Sequence, residues 1–217
     1  MPDYAARRVT MVDTQVRPSD VTKFPIIEAF LNVPREEFVP SALREAAYLG
    51  ENLTYSAGRV MLDPRTLSKM LDAVDLRRND LVLDLGCLTG YSSAIAGQIA
   101  EAVVAVEEIE EAAQEAEALL AAQSRDNIAV ITGPLTAGAL QHGPYDAILV
   151  QGGAETFPGA LAEQLREGGR VACLFMEGQL GICRIGQRRG DRISWRDAFN
   201  AAAPVLPGFE RKREFAL

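Results

Sequence analysis

Histidine and cysteine are scarce in this chain of 217 residues, which has one His and three Cys. The single histidine, His142, excludes a His-rich metal site, and we expect no bound metal. A lone histidine in a polar segment is also more typical of a protein surface than of a catalytic centre. The cysteines lack CxxC spacing, which favours reduced thiols in a cytoplasmic protein; they are Cys87, Cys173 and Cys183.

Basic charge and long apolar runs are also in short supply. The chain has 22 Lys and Arg against 30 Asp and Glu, a net charge of −8. Phosphate binding needs a basic surface, so nucleic acid is not the expected partner. No segment reaches the roughly 20 apolar residues that span a bilayer, and the first eight residues lack the apolar core of a signal peptide. We therefore expect no membrane partner, and the sequence carries no signal for an oligomeric state.

From residue 77 onwards, short apolar runs alternate with segments of helical character. The predicted strands are Leu81–Leu85, Val103–Val106, Ile128–Thr132, Ala147–Val150 and Val171–Phe175. The predicted helices are Tyr91–Ile99, Ile109–Gln123 and Gly159–Arg166. Gly168-Gly169 is predicted to end the last of these helices. This alternation predicts an α/β fold with a mostly parallel sheet and helices on both faces.

Two further runs near the C-terminus, Leu180–Gln187 and Arg192–Phe199, flank the turn residues Arg189-Gly190-Asp191. They predict an antiparallel β-hairpin at one end of the sheet, which brings the sheet to seven strands. The expected architecture is a single domain, residues 1–217, with a Rossmann-like core over residues 77–217.

Residues 1–76 are predicted to form a helical cap on this core. The first helix begins at Asp3, and its apolar face is Ala5, Val9, Val12 and Val16. The second begins at Ser19 or Asp20, and its apolar face is Val21, Phe24, Ile27 and Leu31. A short helix starts at Ser41, an ordered loop runs from Asn52 to Pro64, and Asp63-Pro64 starts a last helix as a cap followed by proline.

The stretch from Leu81 to Glu107 has the order strand, glycine-containing turn, helix, strand, acidic residue. A dinucleotide-binding turn needs glycines at G-x-G-x-x-G, but these positions hold Gly86, Leu88 and Tyr91. The Gly-Lys-Ser/Thr of a P-loop is absent as well. Asp84-x-Gly86-x-Leu88-x-Gly90 instead resembles the acidic-x-G-x-G-x-G turn of class I S-adenosylmethionine-dependent methyltransferases.

Each residue type in such a turn has a physical task. Backbone amides around Gly86 and Gly90, near a helix N-terminus, can reach the carboxylate of the cofactor. Asp84 can accept from its ammonium group, and Glu107 can accept from both ribose hydroxyls. Further residues predicted to line the cofactor site are Cys87, Tyr91, Glu108, Pro134, Leu135 and Gln151.

Several segments together resemble the protein-L-isoaspartate O-methyltransferase family. Val33–Pro40 is similar to its VPRExFVP segment, and Ala47-Tyr48 with Gly58–Pro64 is similar to its AY…GQTISQP loop. The remaining matches are Leu83–Tyr91 with the cofactor turn, Gly143–Val150 with APFDxIxV, and Leu161–Arg170 with LxxQLxxGGR. The combination is specific, because it runs along most of the chain.

The resemblance implies a Rossmann-like methyltransferase with a helical N-terminal addition and S-adenosylmethionine as its cofactor. It also implies a substrate: a protein or peptide whose L-isoaspartyl carboxyl is methylated at the start of repair. A carboxylate is already ionised near neutral pH, so methyl transfer to it depends on alignment and water exclusion, not on a strong base.

The sequence departs from the family pattern at positions beside the predicted site. Leu88 replaces the middle glycine of the turn, which predicts either crowding of the cofactor or strained backbone. Leu62 replaces the serine of the GQTISQP loop, and Pro134 replaces the aspartate of a GDG segment. Gln151-Gly152-Gly153-Ala154 differs from a TAAA run.

These departures leave no identified catalytic residue and keep other functions open. Arg59 and Asp63 could face the substrate, although Asp63 could equally be only a helix cap. The alternatives to an isoaspartyl methyltransferase are an impaired enzyme, a small-molecule methyltransferase, and a non-catalytic binding or regulatory protein on this scaffold.

Overall fold

A computed structural model describes residues 3–211 of the chain. Its helices are α1 (Tyr4–Met11), α2 (Phe24–Asn32), α3 (Pro64–Ala73), α4 (Tyr91–Ile99), α5 (Glu110–Ala122) and α6 (Gly159–Ala162). Its strands are β1 (Leu53–Ser56), β2 (Arg59–Met61), β3 (Leu81–Leu85), β4 (Ala102–Glu107), β5 (Ile128–Thr132), β6 (Tyr145–Ala154), β7 (Leu165–Glu177), β8 (Leu180–Arg189) and β9 (Arg192–Asn200). None of the helices within residues 3–211 has the length and apolar character needed to cross a membrane.

Seven strands form the central sheet in the order β5-β4-β3-β6-β7-β8-β9. The first five of these are parallel, and β8 and β9 add the antiparallel hairpin. Strands β3, β4 and β6 are buried along nearly their whole length, because helices or connecting segments cover both faces. The predicted α/β fold with a seven-stranded, mostly parallel sheet is therefore confirmed.

The segment from Asn52 to Pro64, predicted as a loop, instead contains the antiparallel hairpin β1–β2. Gly58 at its turn has φ +75°, which only glycine adopts without strain. The run is too short to show period-two alternation, so its strands left no pattern. This hairpin matters for function because it carries Arg59.

Other boundaries in the sequence prediction were also wrong. The strands predicted over Ala147–Val150 and Val171–Phe175 extend over Tyr145–Ala154 and Leu165–Glu177. The helix predicted over Gly159–Arg166 ends at Ala162, and Gly168-Gly169 lies inside β7 and not at a helix exit. Helix α2 begins at Phe24 and not after Ser19 or Asp20, because Pro25 supplies the fixed φ of a first helical turn.

In the N-terminal region, fewer of the predicted apolar residues are buried than the helical periodicity indicated. Asp3 caps α1 as expected, accepting from the Ala6 amide at 3.0 Å. Val12 and Val16 are buried, but they lie in a π-helical turn after α1, which rotates the apolar face. Other members of the predicted faces are exposed: Ala5, Val9 (49%) and Phe24 (69%).

The buried Arg35 connects this region to the core. Its Nε donates to the Ala47 carbonyl at 2.8 Å and its Nη2 to the Leu62 carbonyl at 2.9 Å. Its guanidinium lies 4.7 Å from the ring centroid of Tyr91, which begins α4. One side chain therefore fixes the segment before β1 against both the hairpin and the helix of the predicted cofactor turn.

Residues 201–211, which we call the strap, cross the carboxyl end of β6. The Gly153 amide donates to the Pro204 carbonyl at 2.7 Å, and the Leu206 amide donates back to Gly153 at 2.9 Å. Leu206 and Phe209 of the strap are fully buried. The strap thus forms part of the core at the edge of the sheet where β3 and β4 also end.

We expect Asp63→Ala to lower the free energy of unfolding by about 1 kcal/mol, because Asp63 caps α3 by accepting from the Thr66 amide at 2.9 Å. Asp63→Asn is the matched control, since asparagine caps almost as well. Urea titration followed by circular dichroism measures both. Equal losses in the two variants would show that the charge of Asp63, and not its cap, stabilises the fold.

Candidate functional site

The parallel register brings the predicted cofactor residues to one edge of the sheet. Leu85 of β3 lies beside Val106 of β4 and Val150 of β6. The residues that follow or flank these positions therefore meet at the carboxyl ends of three strands, where α/β proteins bind ligands. They are Asp84, Gly86, Glu107 and Gln151.

Asp84 is fully buried and makes only internal contacts among the described residues. Its Oδ2 accepts from the hydroxyls of Ser92 and Ser93, each at 2.6 Å, and its Oδ1 accepts from Gln151 Nε2 at 2.7 Å. Burial raises the pKa of Asp84, although these three donors oppose that shift. Gln151, which is predicted to touch the cofactor, holds this carboxylate.

The turn after β3 follows the predicted geometry with one strained residue. Gly86 and Gly90 have φ of +80° and +94°, as a glycine-rich turn requires. Leu88 has φ +51°, an unfavourable conformation for a branched side chain, and its side chain is buried in the main apolar cluster. Of the two consequences expected for Leu88, the structure shows the strained backbone.

Two other predicted residues of the turn are buried. Burial raises the pKa of the Cys87 thiol well above its ordinary value, which makes it a passive side chain and not a nucleophile. Tyr91 packs edge-on against Phe30 and near Phe38, so most of its ring belongs to the apolar core.

The carboxylate of Glu107 is buried and has all its acceptor positions in use. Its Oε1 accepts from the amides of Glu108 and Ile109 at 2.9 and 3.0 Å. Its Oε2 accepts from the Leu88 amide at 2.8 Å and from Arg59 Nη2 at 2.6 Å. A carboxylate offers about four lone-pair positions, so none is left for a ribose diol.

Arg59 supplies the cation for this acidic edge. Its guanidinium bridges Glu107 and Glu108 at 2.6 and 3.0 Å, and the side chain is only 3% exposed. Within residues 3–211 its Nε has no hydrogen-bond partner, an arrangement that costs about 1–3 kcal/mol. The sequence predicts that Arg59 could face the substrate side of the cofactor, and the hairpin places its guanidinium beside Glu107 and Glu108.

The remaining predicted residues lie around this pair. Burial raises the pKa of Glu108, and Arg59 opposes the shift. Leu135 is buried and approaches Gly86, whereas Pro134 is exposed. Leu62 is buried with its carbonyl bonded to Arg35, and Asp63 caps α3.

Leu206 of the strap completes the site and was missed by sequence reasoning. A Cβ added at Gly86 would lie 3.6 Å from both Leu206 Cδ1 and Leu135 Cδ1, and 3.2 Å from Arg59 Nη2. No local pattern could have shown this contact, since Leu206 follows the last strand and is distant in sequence from the turn.

Beside this cluster lies a cavity of about 10 Å³, lined in part by Gly86, Leu88 and Gln151. A water molecule needs about 10–15 Å³, and pockets for cofactors and drug-sized ligands measure roughly 300–1,000 Å³. S-adenosylmethionine therefore does not fit between the residues as they are arranged here.

The model of the family described as protein-L-isoaspartate(D-aspartate) O-methyltransferase matches residues 8–195. The chain belongs to this family. A protein-L-isoaspartate O-methyltransferase from Koribacter versatilis is 36% identical over 190 residues, 88% of this chain and 86% of that protein. One from Syntrophus aciditrophicus is 36% identical over 171 residues, 79% and 78% of the two chains.

Solved structures show the same fold. One described as a protein-L-isoaspartate O-methyltransferase superposes with a TM-score of 0.81 at 23% identity, covering 93% of this chain and 66% of that chain. A beta-aspartate methyltransferase from Plasmodium falciparum in complex with S-adenosyl-L-homocysteine superposes with a TM-score of 0.78 at 15% identity. The match covers 95% of this chain and 99% of that chain. The family, the fold and the methyltransferase class predicted from the sequence are confirmed, and S-adenosylmethionine is the cofactor consistent with them.

We expect Leu88→Ala to destabilise the protein by about 2–5 kcal/mol, because it removes a buried side chain and keeps the strained φ. Leu88→Gly removes the same side chain but relieves the strain, so it should be about 1 kcal/mol more stable than Leu88→Ala. Urea unfolding of the two variants isolates the strain. Equal stability would show that Leu88 adopts its conformation without penalty.

Proposed function

We propose that this chain is an S-adenosylmethionine-dependent carboxyl methyltransferase acting on L-isoaspartyl residues of damaged proteins, a step in protein repair. The observation that carries the proposal is the assembly of Asp84, Gly86, Gly90 and Glu107 at adjacent strand ends, in a chain whose family bears this activity in its name. The acceptor would be an isoaspartyl residue in an accessible segment of a protein or peptide.

The composition of the site suits this chemistry. The acceptor carboxylate is ionised near neutral pH and needs no deprotonation. The lone histidine, His142, is exposed, and its ring hydrogen-bonds only Gln141 among the described residues. The chain would contribute binding and exclusion of water, and none of its side chains has to act as a base.

A second candidate is a non-catalytic binding or regulatory protein on the methyltransferase scaffold. The filled space around Gly86 favours it, since a site that holds no cofactor performs no transfer. Leu62 favours it as well, because an apolar side chain stands where the family loop has a hydroxyl.

We also propose a cytoplasmic location. Cys87, Cys173 and Cys183 are all free and buried, and burial raises the pKa of each thiol. Unpaired thiols are typical of reducing compartments.

A methyl-transfer assay separates the candidates. With radiolabelled S-adenosylmethionine, we expect base-labile methyl ester on an isoaspartyl peptide and none on the same peptide with ordinary aspartate. The background control is Gly86→Leu, because a side chain at φ +80° would be strained and would meet Arg59, Leu135 and Leu206.

Other results would overturn the proposal in distinct ways. Binding of S-adenosylhomocysteine in calorimetry without peptide methylation would indicate another acceptor, such as a small molecule. No binding at millimolar concentration and no transfer would leave the non-catalytic protein.

A further inference from the structure

Two side chains from distant parts of the sequence meet at the predicted cofactor turn. Arg59 comes from the hairpin β1–β2, and Leu206 comes from the strap. Both approach Gly86, and they are 3% and 1% exposed. Together they cover Gly86, a position in the turn that has no side chain of its own.

Arg59 occupies the hydrogen-bond acceptors that the site would otherwise offer to a ligand. Glu107 and Glu108 face the edge of the sheet with no other cation bonded to them among residues 3–211. The guanidinium donates to both, and the fourth acceptor position of Glu107 is the one that it fills. The acidic end of β4 is therefore satisfied from within the chain.

Leu206 fills the apolar part of the site. Two glycines leave room for it because they have no side chains. A Cβ at Gly152 would lie 2.6 Å from Leu206 Cγ, and a Cβ at Gly153 would lie 2.5 Å from the Ala203 carbonyl oxygen. Real Cβ atoms essentially never come this close, so alanine at Gly152 would displace the Leu206 side chain and alanine at Gly153 would displace the backbone of the strap. The Gly152-Gly153 pair is what lets the strap enter.

The hairpin and the strap are also joined to each other. The Asn52 side chain donates to the Ala202 carbonyl at 3.0 Å and accepts from the Asp63 amide at 2.9 Å. Asn52 precedes β1 and Asp63 follows β2, so one amide ties both ends of the hairpin to the strap.

We propose that Arg59 and Leu206 form an internal plug in the cofactor cleft, and that S-adenosylmethionine binds only when both have withdrawn. The plug rests on the proposed function for the identity of the ligand, but its presence in the cleft does not depend on that function. The resting protein binds the cofactor weakly, because binding must first break the Arg59–Glu107 ion pair and lift the strap from Gly152.

The test compares the wild type, Arg59→Gln, Leu206→Ala and the double variant. Calorimetry with S-adenosylhomocysteine measures affinity. The rate at which a thiol reagent labels Cys87, followed by peptide mass spectrometry, measures opening of the cleft without any cofactor. Cys87 suits this purpose because it lines the residual cavity and is 4% exposed.

A matched control carries the same chemical changes away from the cleft. Arg170→Gln with Leu161→Ala removes a buried arginine paired with Asp80, before β3, and a buried leucine of the same apolar cluster as Leu206. Cys173 and Cys183, in the far strands of the sheet, serve as internal references for general unfolding.

We expect the double variant to bind S-adenosylhomocysteine at least tenfold more tightly than the wild type and to label Cys87 at least tenfold faster, with the control unchanged in both. If the double variant does not fold, each single variant carries the test with an expected change of at least threefold. Equal affinity and equal Cys87 labelling in all variants would overturn the plug and leave the proposed function standing. Faster labelling in the control as well would also overturn it. Faster Cys87 labelling in the variants alone, with no binding by any protein, would support a filled cleft and overturn the proposed function.

Discussion

The Arg59–Glu107 ion pair is the contact on which the site depends. Glu107 ends β4, and through its two oxygens it fixes the start of the following helix, the amide of Leu88 and the hairpin that carries Arg59. Removing one partner of a buried pair is typically costly, because the other charge stays behind without compensation. One carboxylate therefore holds together three segments that are far apart in sequence.

The residues that depart from the family pattern lie close to this ion pair. Leu62 and Leu88 place apolar side chains beside the turn, and Gly152 and Gly153 admit the strap with Leu206. The cavity that remains beside the turn is only about 10 Å³, no larger than the space one water molecule needs.

The strands and the position of the turn could be predicted from the sequence, because a buried parallel strand reads as a continuous apolar run. Leu81–Leu85 and Ile128–Thr132 have the same bounds in the structure as in the prediction. The hairpin β1–β2 could not be predicted in this way, since three or four residues show no period. The helix over Gly159–Arg166 was too long, because helical propensity there yields to the pairing of Leu165 with Tyr145.

The location of the site could be predicted from the sequence, but the hydrogen-bond partners of its residues could not. Sequence spacing correctly brings Asp84, Gly86 and Glu107 to one edge, since carboxyl ends of parallel strands share that edge. It does not show which donors each carboxylate finds: Ser92 and Ser93 for Asp84, and Arg59 for Glu107. Those partners come from the helix after the turn and from the hairpin, and only the tertiary fold brings them near.

The chemistry of the plug favours a cleft that can open over one that is permanently closed. An apolar pair of similar volume would fill the same space without the desolvation penalty of two buried charges, and such replacements are often neutral or stabilising. The Arg59 Nε also lacks a partner within residues 3–211, so the closed arrangement carries a cost that withdrawal of Arg59 would relieve. When Arg59 withdraws, Glu107 regains a free acceptor position beside Gly86 while its three backbone donors stay in place. A charged plug therefore leaves behind an ordered acceptor, which an apolar plug could not do.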